Sequence, residues 1–265
     1  MLDIVSISSP SYSNKQNLGK IFNWHPWIGC KKVSDACKYC RVPSNKPFYF
    51  NDFHLSRLKE LPSGTVVLVT MLSDFFIEEA DSYREQAWEI IKQYSNLIFV
   101  IITKRVHRIQ KCLPEDWAQG YDNVVLSVTV ETNSTINERL PIFKDIIAKH
   151  KWLSTAPVLE ELNLEYYLEQ GWIENVEALG EKCFNSEISF DEIRPCNYSW
   201  IESISTQCRK YNVRFSLMAA GHNFIWNNKI YRDFSACYHS KFADELNLDV
   251  VKPITFKLDY GYRVI

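Results

Sequence analysis

LIFVIITKRVHRIQKC, residues 97–112, joins an unbroken apolar run to a basic segment with no glycine or proline between them. The run is short, rich in Ile, Val and Phe, and shows no polar alternation. That fits a strand buried on both faces, as in a parallel sheet covered by helices. The basic segment has helical spacing, so the stretch reads as a strand turning directly into a helix. The same unit recurs to either side. Apolar runs stand at 65–71, 124–130, 151–156, 175–180 and 213–219, and an earlier strand is predicted at 20–24. Helices are predicted at about 78–95, 104–113, 134–150, 160–170 and 198–211. The segment 134–150 places Ile136, Leu140, Phe143, Ile146 and Ile147 on one face, and Ser134 with Asn137 and Glu138 reads as its start.

Strand and helix thus alternate at least six times, which predicts an α/β barrel or an open doubly wound sheet. No glycine-rich phosphate loop or dinucleotide fingerprint follows any of the strands, which disfavours the doubly wound alternative. The expected fold is a TIM-type barrel, partial or modified, over residues 1–221. Residues 222–265 lose the alternation and are expected to form a C-terminal extension packed on the barrel. A chain of 265 residues is an ordinary length for one such barrel.

Of the residues, 46% are apolar and 14% aromatic, which supplies ample core, and the net charge of −2 excludes a globally basic nucleic-acid binder while allowing a local basic patch. No stretch is long and apolar enough for a membrane span. Eight cysteines without a secretory leader at the start of the sequence point to a reducing compartment, the cytoplasm by default.

In a barrel, functional residues gather in the loops after the strands. Ser73 and Asp74 follow the second strand here, Lys104 the third, Glu131 the fourth, and Glu181 and Cys183 the sixth. After the first strand comes WHPWIGCKKVSDACKYC (residues 24–40), with Cys30, Cys37 and Cys40 at C-x6-C-x2-C spacing. Thiolates are soft ligands suited to iron–sulfur clusters, zinc or copper(I). A structural zinc site would need a fourth ligand, with His25 or His54 available. A four-iron cluster held by only three cysteines would leave one iron open to a small molecule. Cys112, Cys196, Cys208 and Cys237 read as small apolar core residues. A second cluster from Cys183, Cys196, Cys208 and Cys237 has no recognisable ligand spacing to support it.

The ending Cys37-Lys38-Tyr39-Cys40 resembles the cysteine loop of radical S-adenosylmethionine (radical SAM) enzymes, C-x3-C-x-aromatic-C, with a longer first gap. The ordered blocks VTMLSDFF, IITKRVHRI, LSVTVETNSTINERLPIF and STAPVLEELNL further resemble a phage- and bacteria-associated three-cysteine radical SAM-like family of uncharacterised activity, over about residues 21–220. More distantly, the chain is similar to the spore photoproduct lyase group. The chain departs from the closer family at Arg41, at Leu179 to Lys182, and at Met218-Ala219-Ala220. It lacks the lyases' hydrogen-donating cysteine, with Met71 and Leu72 in that neighbourhood.

The resemblance implies a [4Fe-4S] cluster on Cys30, Cys37 and Cys40 and S-adenosylmethionine (SAM) on its open iron. Reductive cleavage of SAM would give a radical that abstracts hydrogen from a substrate. Ser73 and Lys104 match the lyase residues that help hold SAM. Lys104 and Arg139 are then candidates for its carboxylate, and Glu131 and Asp74 for its ammonium or ribose hydroxyls. Ser127 and Thr129, two apart on one strand, share a face of the barrel interior. Glu181 is a further rim carboxylate, and Cys183 a candidate hydrogen donor. A reductase or flavodoxin-type protein would supply the electron, and a dedicated partner protein is a further candidate.

Lys31, Lys32, Lys38, Arg41 and Lys46 surround the cysteines, and Arg105, His107, Arg108 and Lys111 follow the third strand. As one collar they would suit a polyanionic substrate such as tRNA or DNA, with Trp24, Trp27, Tyr39 and Phe48 available to stack on bases. Ordinary solvated charge and core packing are the competing readings. From another class altogether, a non-catalytic zinc-holding module for nucleic acid or protein is the alternative function.

Overall fold

A computed structural model describes residues 3–7, 21–40, 42, 49–50, 55–233, 243–258 and 261–265. Arg41, Lys46, Phe48, His54 and Cys237, each given a candidate role by the sequence, lie outside these residues.

Seven strands form one sheet: β1 (Ile21–Trp24), β2 (Val66–Val69), β3 (Ile98–Thr103), β4 (Val124–Thr129), β5 (His150–Thr155), β6 (Asn175–Leu179) and β7 (Arg214–Ala219). They lie side by side in chain order, and every pairing is parallel. A parallel sheet wound in one direction curls, and here it makes a half-barrel. The fold is mixed α/β, as the alternation predicts, and each predicted strand is present.

The convex face carries the helices α1 (Leu55–Leu58), α2 (Arg84–Gln93), α3 (Val106–Cys112), α4 (Asn133–Asp145), α5 (Glu165–Leu168) and α6 (Tyr198–Lys210). Val67, Phe99, Leu126, Leu153, Val176 and Phe215 of the sheet share one buried cluster with helix residues such as Ile91, Ile109, Leu140 and Ile204. Three helices are shorter than their periodicity predicts. The 78–95 segment splits into a 3-10 turn at Glu78–Ala80 and α2. Arg84 reaches inward there to the carbonyls of Phe75 (3.0 Å) and Ile77 (2.6 Å), which holds the intervening chain as a turn. The 134–150 segment starts earlier, at a capping box between Thr132 and Thr135, and ends at Asp145. Lys151 donates to the carbonyls of Phe143 (3.1 Å) and Lys144 (2.8 Å) and so caps the helix C-terminus. Ile147, expected on the packed face, is 50% exposed. Of 160–170 only Glu165–Leu168 is helical, because the Gln207 side chain bonds Leu164 N and Leu162 O and keeps that chain extended.

On the concave face, Ile254, Phe256 and Leu258 pack on Val66, Ile98, Val100, Val125 and Trp152. They come from a hairpin, Thr255–Leu258 with Gly261–Val264. Burying a side chain such as Phe256 stabilises by about 2–3 kcal/mol. The hairpin therefore floors the half-barrel. A second small sheet pairs Asn223–Trp226 and Lys229–Asp233 with Cys196–Asn197 and Asp3–Ile7. Val250 bridges antiparallel to Phe215, covering part of the edge at β7.

Candidate functional site

Because all seven strands run the same way, their C-terminal ends share one rim, and the loop with the three cysteines enters it from β1. The loop is stitched to the turn after β2: Gly29 N donates to Leu72 O at 3.1 Å, and Ser73 Oγ donates to Gly29 O. Gly29 has φ +107, a backbone state that favours glycine. A 3-10 turn at Asp35–Cys37 carries the second cysteine. Cys37 is buried, Cys30 half-buried and Cys40 exposed. Burial pushes the Cys30 thiol up to about 11, against the pull of the neighbouring Arg105 guanidinium.

Asp74 is the hub between the β2 and β3 loops. Its carboxylate accepts from Phe76 N (2.9 Å), Thr103 Oγ1 (2.7 Å) and Lys104 N (3.1 Å), and pairs with Arg105 at 3.1 Å. Both oxygens are engaged within the protein, so Asp74 joins the β2 and β3 loops and, through Phe76 N, caps the turn that follows it. Arg105 then reaches the cysteine loop, with Nη2 2.9 Å from Lys31 O and Nη1 3.8 Å from Cys30 Sγ.

At the ends of β3 and β4, Lys104, Glu131 and Arg139 meet. Glu131 is fully buried and accepts from Lys104 Nζ and from Arg139 Nη1 at 3.0 Å. Lys104 Nζ also donates to Ala156 O at 2.9 Å, and Arg139 Nη1 to Thr129 O at 2.6 Å. Two cations share one carboxylate, a local excess of one positive charge. Arg139 Nε and Ser127 Oγ are buried without a hydrogen-bond partner among the described residues. Thr129 is buried on the same face of β4 as Ser127.

The far side of the loop is held by Arg194. It binds the buried Glu181 through Nε (2.9 Å) and its own backbone N (3.0 Å), and it also pairs with Asp35 inside the cysteine loop. Its guanidinium stands 5.9 Å from the Tyr39 ring. Cys183 is buried in a small cluster with Tyr39 and Ile193, close to the loop, and its backbone N donates to His222 Nδ1 at 3.4 Å. Arg105, Arg194 and Asp35 are site residues whose sequence positions gave no sign of this; a positive charge flanking a cysteine loop becomes a clamp only when distant segments fold against it.

The donor chemistry of the loop fits a soft-metal centre, since three thiols lie on one loop. Among the described residues, no three His, Cys, Asp or Glu side chains converge as a ready metal group. The trio would have to draw together on binding. His25 is buried and does not complete such a group with the cysteines. Cys196 and Cys208 sit in the main core, where burial pushes both thiols up to about 12, as expected of core filler. Cys112 packs against the same core.

Three members of the expected positive collar are engaged within the protein, while Lys32, Lys38, His107 and Lys111 are exposed. Arg105 and Arg108 are buried, and Arg108 pairs with Glu78 and Asp81 and donates to Phe76 O at 2.7 Å. Lys31 pairs with Glu79. Trp24 and Trp27 are wholly buried against Phe99 and Phe75, so core packing is their use and base stacking is not. Tyr39 is also buried, its hydroxyl donating to Glu192 O at 2.9 Å.

Fold and site together define an α/β half-barrel protein with a three-cysteine loop at the C-terminal mouth of its sheet. The chain belongs to the family described as "Protein of unknown function (DUF5131)", whose sequence model matches residues 20–234. No curated protein and no solved structure matches. Among the described residues no helix is long and apolar enough to cross a membrane.

Proposed function

We propose that the protein is a radical SAM enzyme. In this reading Cys30, Cys37 and Cys40 hold a [4Fe-4S] cluster, and SAM binds on the barrel side of their loop. One observation carries it: a loop with three thiols stands at the mouth of a parallel half-barrel, on the same rim as the Lys104–Glu131–Arg139 network. When bound, cluster and SAM supply reductive cleavage of a sulfonium carbon–sulfur bond and hydrogen abstraction from the substrate. The chain's own residues bind and orient. The surplus positive charge of Lys104 and Arg139 suits the SAM carboxylate, and Arg139 Nε and Ser127 Oγ are donors still lacking a partner. Ser73 and Thr129 line the same region. Glu181 acts through Arg194 to hold the loop, and Cys183, beside Tyr39, is the candidate hydrogen donor. The thiols must lose their protons to ligate, and burial opposes that loss at Cys30. The electron comes from a reductase or flavodoxin-type donor in a reducing compartment such as the cytoplasm.

Anaerobic reconstitution with iron and sulfide tests the reading. About four irons and four sulfides per chain, lost when any of the three cysteines becomes alanine, and 5′-deoxyadenosine released from SAM under reduction are expected. Colourless protein carrying one tightly held zinc would overturn it.

A further inference from the structure

The three thiols of the cysteine loop are unequally placed. Cys37 is buried and Cys30 is half-buried beside Arg105, whereas Cys40 is exposed. The chain leading to Cys40 is a closed turn, with Cys40 N donating to Cys37 O at 3.2 Å. Lys32 folds back onto that turn, its Nζ donating to Lys38 O at 3.1 Å. Lys32 and Lys38 are thereby gathered on the stretch of loop that shows Cys40 to solvent. Both lysines are exposed, and neither pairs with a carboxylate among the described residues. The neighbouring charges of the loop are engaged, Lys31 with Glu79 and Asp35 with Arg194. An apolar element adjoins this face. Tyr39, between Lys38 and Cys40, packs on Cys183, and the next residue, Phe184, is 64% exposed.

Exposed cations around an exposed aromatic are the make-up of a protein-docking face, where the ring anchors and the charges steer. Their number decides the kind of partner. Tight binding to a nucleic acid draws on about 6–10 phosphate contacts, far more than two unpaired lysines supply. Transient complexes of electron carriers are smaller, burying less than about 1,200 Å² in all. Two steering charges and one anchor suit such an encounter, and the complementary partner is acidic. The exposure of Cys40 says what the encounter is for. Electron transfer falls off steeply with distance, so the thiol at the surface marks the corner of the loop where an electron enters.

We infer that the face formed by Lys32, Lys38, Cys40 and Phe184 docks an acidic, flavin-carrying electron carrier of the flavodoxin type. The inference rests on the radical SAM reading and adds to it the surface and the charge of the partner. The step it serves moves one electron: the partner's reduced flavin is oxidised by one and the iron–sulfur group is reduced by one, with no bond made or broken. Arg105 and Arg194 brace the loop from within, so the face is presented on a held frame.

Complex formation is read first, on full-length protein carrying neither cluster nor SAM. The probe is a purified, dye-labelled flavodoxin, and its fluorescence anisotropy is followed at low and high salt. Saturable binding that weakens with salt is expected. K32E/K38E should weaken it about tenfold or more, and F184A about fivefold or more. K257E, an exposed lysine on the C-terminal hairpin at the floor, should change it less than about twofold. If the double reversal does not fold, K32Q/K38Q takes its place with a smaller loss expected. No saturable complex, equal binding by K32E/K38E, or an equal loss with K257E overturns the surface. Tighter binding of single-stranded DNA at the same lysines would assign it to a nucleic acid and overturn it too. On reconstituted protein, K32E/K38E should slow reduction by flavodoxin about tenfold and leave reduction by dithionite unchanged. A cluster that dithionite reduces, on protein that forms no complex, would sink the surface and keep the radical SAM reading. A salt-dependent complex on protein that assembles no cluster would keep the surface and sink that reading.

Discussion

Arg105 lies with its guanidinium 3.8 Å from Cys30 Sγ, although 75 positions separate the two residues in sequence. The same side chain pairs with Asp74 and bonds Lys31 O. One buried cation therefore ties the cysteine loop to the ends of β2 and β3, and Arg194 does the equivalent from the β6 side.

Removing the Arg105 charge should open this clamp. R105Q leaves the buried Asp74 carboxylate without its cation, a change expected to cost about 3 kcal/mol or more. It should also loosen the cysteine loop, so that the buried Cys37 is alkylated by iodoacetamide much faster than in the parent. Mass spectrometry of labelled peptides reads this directly. Unchanged protection of Cys37 would remove Arg105 from the clamp.

Glu131 should matter more for stability than either of its cations. E131A strands two cations near a buried position and is expected to cost about 3–5 kcal/mol. K104M leaves the Glu131–Arg139 pair intact and should cost less, since Lys104 keeps some contact with solvent. Urea unfolding of both variants and of the double mutant gives the coupling. Equal losses for E131A and K104M would contradict a shared carboxylate.

Lys151 gives the chain a pH dependence of known sign. Burial pushes its ammonium down to about 8 from an ordinary value of 10.5, so above pH 8 the native state sheds this proton before the unfolded chain does. The unfolded state then binds more protons, and stability rises with pH between about 8 and 10.5, by roughly 1–3 kcal/mol at most. The difference between parent and K151M, followed by denaturant unfolding at stepped pH, isolates this residue. A difference that stays flat across the window would contradict the buried charge.

Two glycines should respond very differently to alanine. A Cβ on Gly180 would lie 2.1 Å from Ala220 O, a backbone atom that cannot swing aside. G180A is therefore expected to cost at least about 1–3 kcal/mol, the usual penalty of overpacking, and to distort the rim between β6 and β7. Gly171, at φ +74, has nothing within 4 Å of such a Cβ. G171A should cost only about 1 kcal/mol, for the left-handed backbone alone. Paired thermal unfolding ranks the two, and the reverse ranking would contradict the close approach.

Apolar runs announced six of the seven strands, most plainly β3 and β4, because a strand buried on both faces writes itself as a hydrophobic segment; β1, mostly open on its edge, was expected at 20–24 without such a run. Helix ends were harder to read. Arg84, Lys151 and Gln207 each terminate or forestall helix by bonding backbone groups of another turn or segment, and no local period records such a reach. At the rim, Lys104, Glu131 and Arg139 stood out as charged residues at or shortly after strand ends, and folding brings them together. Arg105 and Arg108 looked like neighbours of Lys104 in a solvated collar, yet they turn inward to Asp74, Asp81 and Glu78.

Periodicity and run length alone dictated the alternating α/β order and the rim on which polar residues gather, since those depend on local spacing and on strands running one way. Which of those charges face the hollow, which brace the cysteine loop, and which polar atoms of Ser127, Trp152 and Asn175 are left over was settled by tertiary packing. A buried charge takes its partner from whatever the fold brings within about 3 Å, so Asp81 receives Arg84 from three positions away and Arg108 from 27.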